Sequence, residues 1–128
     1  VAPPGEDEEE PTSPAKRPIA PKPAGVVQLG DRSWTVTRKL VTQWQDDPYA
    51  LGNVRENGEG WELVGTRQRT AYHLGMRNGD ILLEVNGHRL NSMVNLVAAY
   101  AACRNDTRFD VVFLRKGKRL THHYEIKG

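Results

Sequence analysis

Few side chains in this sequence are of a kind, and at a spacing, that could carry covalent chemistry. Beyond residue 30 the serines are Ser33 and Ser92, and neither sits in the Gly-x-Ser-x-Gly setting that lifts a nucleophile out of a strand-to-helix turn. His73, His88, His122 and His123 have no carboxylate at a spacing that reads as an orienting partner. His122 and His123 are adjacent, so on a strand their rings point to opposite faces and cannot share a metal ion. Cys103 is the single cysteine, which rules out an internal disulfide, and its apolar neighbours make it a small core residue. Asp80 follows Asn78-Gly79 and reads as a turn residue that takes up backbone amides rather than as an acid catalyst. Trp44, Tyr49 and Trp61 read as core aromatics. No catalytic residue, metal ligand set or cofactor is expected.

What remains is binding. Arg115-Lys116-Gly117-Lys118-Arg119 concentrates positive charge where the pattern places a hairpin tip. Such charges commonly guard a sheet edge, and they could also dock an acidic surface, including the chain's own Glu6–Glu10 run. The first thirty residues hold five acids and three bases; the remainder holds 11 acids and 15 bases. That mild surplus falls short of a nucleic-acid footprint, so no nucleic-acid partner is expected. No stretch approaches the ~20 apolar residues of a membrane span, and no cleavable signal pattern opens the chain.

Two regions differ in kind. Residues 1–30 carry seven of the eight prolines and almost no large apolar side chain before Ile19. Such a stretch cannot bury enough apolar surface to offset the entropy of ordering it, so it reads as a disordered, acidic, proline-rich linker. Residues 31–128 form one domain, long enough for a single core.

Within it, Val36, Leu40, Val41 and Trp44 fall at helical spacing, with Thr35 or Thr37 to cap the start and Asp46-Asp47-Pro48 to stop it. Asn53 to Glu56 and Trp61 to Thr66 flank Asn57-Gly58 as a hairpin. Thr70 to Gly75 reads as a short helical turn, and Ile81 to Asn86 as a strand with Ile81, Leu83 and Val85 facing the core. Ser92 caps a helix from Met93 to Cys103, and Phe109 to Arg115 pairs with Leu120 to Ile126. This order predicts an α+β fold, a small antiparallel sheet or partial barrel capped by helices.

The run Leu74-Gly75-Met76-Arg77-Asn78-Gly79-Asp80-Ile81-Leu82-Leu83-Glu84-Val85-Asn86-Gly87 resembles a bacterial PDZ domain. With the upstream Trp34-Thr35-Val36-Thr37-Arg38, helix, Asp-Pro and hairpin, residues 34 to 126 are similar to the PDZ domain of the type II secretion protein C family. That resemblance implies a protein or peptide partner, no small-molecule cofactor, and a parent protein anchored in the inner membrane with this domain on the periplasmic face. Two other readings stay open: the regulatory PDZ domain of a periplasmic serine protease, and a scaffold or motility adaptor of the cytoplasm.

PDZ domains take a partner segment as an extra strand between an edge strand and the long helix. Carried onto this chain, the groove is walled by Asn53, Val54 and Arg55 and by the helix, with Tyr49, Leu51 and Gly52 where the carboxylate-binding loop would sit. Leu51-Gly52-Asn53 lacks the second apolar residue of that loop, so an internal strand fits as well as a free C-terminus. On the helix, Leu96, Ala99, Tyr100 and Cys103 share a stripe that would pack on the core. A second stripe of Met93, Val97 and Ala101, with Val94 beside it, would line the groove or lie under the first helix.

Overall fold

The structure is a computed structural model that describes residues 19–128; the acidic run Glu6–Glu10 and most of the proline-rich leader lie outside the described residues. The elements, in chain order, are β1 (Val26–Gly30), β2 (Ser33–Thr37), α1 (Arg38–Asp46), α2 (Pro48–Leu51), β3 (Asn53–Glu56) and β4 (Trp61–Val64). Two 3-10 turns follow, Thr66–Gln68 and Thr70–Leu74. The rest are β5 (Ile81–Val85), β6 (His88–Arg89), α3 (Met93–Cys103), β7 (Arg108–Arg115) and β8 (Lys118–Lys127).

The strands form one sheet in the order β1-β2-β8-β7-β5-β4-β3, with β6 attached to β5. Only β2 and β8 run parallel; the other pairings are antiparallel. The chain therefore makes the α+β sheet expected, with β1 and β3 as its two borders.

Val26–Gly30 corrects the expected linker boundary at residue 30. These residues are a strand, held by pairing Val26 with Val36 and Gln28 with Trp34. Val26 is buried with Trp34, Val36 and Leu74 in one core cluster. The domain thus starts several residues earlier than the composition suggests. Ahead of β1, the Ala20 N–H donates to the Arg67 carbonyl at 2.7 Å, and the His73 ring meets the Ala20 carbonyl.

Local chemistry explains the helices. Thr37 caps α1, its hydroxyl accepting from the Leu40 N–H, and Ser92 does the same for α3 through the Asn95 N–H. α1 stops at Asp46 ahead of Pro48, as expected, and Pro48 then opens the separate helix α2 at a first-turn position, where its missing N–H costs nothing. Gly75 closes the second 3-10 turn with φ +83°, and a Cβ there would stand 2.4 Å from the Trp34 indole, so only glycine fits.

On β5 the expected face is also corrected. A bulge between Leu82 and Glu84 breaks the two-residue period, and Leu82 with Val85 packs against the buried Trp61, Leu90 and Ala99. In the β7–β8 hairpin Val111 and Leu120 pack on the cluster holding Phe113, which is fully buried, and Ile126 is buried on the same face of β8 as Tyr124.

At the centre stands a ring of aromatics around buried His122. Its centroid lies 4.7 Å from those of Trp34 and Phe113. The Tyr124 hydroxyl donates to the Leu74 carbonyl at 2.6 Å and lies 3.2 Å from His122 Nδ1, so its oxygen accepts the hydrogen bond that an Nδ1–H donates. Burial, then the Arg115 and Arg32 charges, push the imidazole down to about 4. The unfolded ring titrates near ~6.5. The neutral ring's contribution is therefore complete above that value and is lost as pH falls toward 4. Stability should drop by up to about 1.4 kcal/mol per pH unit in that window, and His122→Phe should flatten the drop. Urea melts at pH 4.5 and 7.5 check this; equal pH dependence in both proteins refutes it.

Candidate peptide-binding cleft

Among the described residues nothing pairs with the outer edge of β3. Asn57 N–H donates to the Gly60 carbonyl at 3.0 Å, which makes that residue pair a bonded one. Antiparallel ladders alternate, so Arg55 and Asn53 also bond inward, while Val54 and Glu56 turn their N–H and C=O outward. The far side agrees: Leu63, opposite Val54, bonds away from β3, donating to the Asp80 carbonyl at 2.7 Å and accepting from Gly79 N–H at 2.8 Å.

Beside this border lies an apolar cleft of about 490 Å³. Its floor is Leu63, Leu82, Val111 and Tyr124 from the sheet, and one wall is Leu96, Ala99, Tyr100 and Cys103 of α3. Val41 and Trp44 of α1 form the opposite wall, and Leu51, Gly52 and Val54 stand at the β3 side. The two helices meet at one end, where Gln45 Nε2 donates to the Arg104 carbonyl at 3.4 Å. Burial pushes the Cys103 thiol up, which keeps it a neutral wall residue rather than a nucleophile.

The structure brings together only some of the expected groove residues. Leu51, Gly52 and Val54 line the cleft. Asn53 and Arg55 lie on the border strand with side chains on its other face, where Arg55 pairs with Glu62 at 3.2 Å and holds that carboxyl below its usual range. Tyr49, on α2, is exposed, neither core nor cleft.

On α3 the two stripes are placed as follows. Met93, Val94, Val97 and Ala101 sit on the exposed outer face, covered neither by α1 nor by the cleft, and the stripe expected to be core forms the wall. The apolar arc covers most of this helix, so periodicity could not tell which part faces the sheet. Val97, 59% exposed, should therefore tolerate Val97→Asp with stability changed by no more than about 0.5 kcal/mol and peptide affinity changed less than about twofold. Calorimetric titration and thermal melts test both; lost binding by the folded variant would restore the outer stripe to the groove.

Other expected groupings resolve differently. Arg115 is not a free tip charge: it donates from Nε and Nη2 to both carboxylate oxygens of buried Asp80, at 2.9 and 2.7 Å. Arg119 pairs with Glu84 at 3.1 Å, and exposed His123 has a carboxylate partner after all, Asp110 at 2.7 Å across the hairpin. Both partners are distant in sequence and visible only once the strands pair.

An open border strand, a long helix across an apolar cleft and the five-stranded antiparallel run β8-β7-β5-β4-β3 form one arrangement. A solved structure matches it: the PDZ domain of EpsC from Vibrio cholerae, with TM-score 0.54, 11% identity, 68% of this chain covered and 91% of that one. The fold is that of a PDZ domain. No family model and no curated protein matches the sequence. β3 stands as the border beside the cleft and α3 as the helix across it.

Proposed function

We propose that this chain is a protein-interaction module that binds an extended segment of another protein by strand addition to β3. The observation that carries this reading is the pair of outward backbone positions, Val54 and Glu56, beside the apolar cleft. A strand laid there completes the ladder through its backbone and drops alternate side chains into the cleft, which favours apolar ones. This is binding, not catalysis.

The reading extends to a setting. The likeness to the EpsC PDZ domain and the run from Trp34 to Gly87 both support a type II secretion component, with this domain on the periplasmic face of the inner membrane. Its partners would be secretion-system proteins or exported substrates. Amide chemical-shift mapping with peptides cut from such proteins tests it. Val54, Glu56 and the inner face of α3 should respond, and Val54 N–H should gain exchange protection. Shifts confined to other surfaces would refute strand addition.

A further inference from the structure

Among the described residues nothing pairs with the outer edge of β1, the second border of the sheet, and its chemistry differs from that of β3. Thr37 N–H donates to the Gly25 carbonyl at 3.1 Å, so the alternation turns Gly25 and Val27 toward β2 and Val26 and Gln28 outward. The Val26 N–H is taken by the Pro23 carbonyl at 3.4 Å. Gln28 thus keeps both its N–H and its C=O aimed at open solvent.

Residues 27–30 are exposed, with Val27 at 51% and Leu29 at 63%. Border strands are normally guarded by charge or proline, and β3 has Arg55 and Glu56; Val26–Gly30 has neither.

We infer that two copies of this chain pair antiparallel through β1, on a two-fold axis at Gln28. Three features select a second copy as the occupant. An N–H and a C=O on the same residue satisfy each other reciprocally across a two-fold. The register sets Val27 against Leu29 of the partner subunit at a non-bonded pair, where Cα atoms come within about 4.5 Å and side chains are closest. An uncharged strand also brings no like charges together, although the domain as a whole is cationic. The strand ends at Gly30, with a bulge on its β2 side between Gln28 and Gly30, so the contact is short and the dimer depends on concentration.

Size exclusion with light scattering on the full 128-residue chain, run up to ~1 mM, tests this against the usual strength of small interfaces. The expected result is a monomer–dimer equilibrium that Leu29→Lys weakens by roughly tenfold or more, with an unchanged circular dichroism spectrum. Mixing Val27→Cys and Leu29→Cys chains under mild oxidation should give the mixed disulfide in preference to either symmetric one; Cys103 is buried and does not compete. A Val54→Pro chain should dimerise as the wild type does. A chain that stays monomeric throughout, a dimer indifferent to Leu29→Lys, or a dimer lost in Val54→Pro would each overturn the inference.

Discussion

Asp80→Ala should lower the stability of the domain by about 3 kcal/mol, the low end of what removing one partner of a buried ion pair costs, and its melting temperature by roughly 15 °C. The side chain is 2% exposed. Its carboxylate accepts two bonds from the Arg115 guanidinium and a third from the Arg77 N–H at 2.8 Å. The same guanidinium donates to the Gly75 carbonyl at 2.8 Å. One carboxylate therefore ties the end of β7, the start of β5 and the turn at Gly75 into a single joint.

Alanine leaves the Arg115 charge without its counterion, next to a backbone amide that has lost its acceptor. Arg115 keeps about a third of its side chain in water, which is why the low end applies. Asp80→Asn retains an acceptor for Arg77 and should lose about half as much. Thermal melts followed by circular dichroism decide it, and an Asp80→Ala protein melting within about 3 °C of wild type would show the pair to be dispensable.

That joint shows where sequence reading stops. Asn78-Gly79-Asp80 announces a turn, and Asp80 does accept a backbone amide in it. The partner that matters most for stability lies 35 residues away on another strand. Features set by neighbours along the chain were legible: the Thr37 and Ser92 caps, the turn at Asn86-Gly87 with its positive φ, and the tip at Lys116-Gly117. Features set by distant partners were not. Five residues after Pro23-Ala24-Gly25 look like the end of a linker until β2 supplies their ladder. Leu82 looks solvent-facing until the bulge beside it shifts the period. The two stripes of α3 look alike until the sheet selects Leu96, Ala99 and Cys103 for its side.

For the cleft, the decisive variant acts on backbone rather than on side-chain chemistry. Val54→Pro removes one N–H, the outward one, while the ladder to β4 runs through Asn53 and Arg55 and keeps all its bonds. Proline is tolerated on border strands for this reason, so folding stability should change by no more than about 1 kcal/mol. A bound strand, however, would bury a carbonyl with no donor opposite it. That leaves about 1–3 kcal/mol uncompensated, or roughly a tenfold to hundredfold loss of affinity. Val54→Ala, which keeps the N–H and gives up only part of the cleft contact, should lose less. Arg55→Pro serves as the opposite control, since it cuts the inward ladder and should destabilise the fold itself. The measurement is peptide affinity by amide titration alongside a thermal melt for each variant. Equal binding by wild type and Val54→Pro, with both folded, would mean that ligand contact depends on the apolar walls alone and that no strand is added at β3.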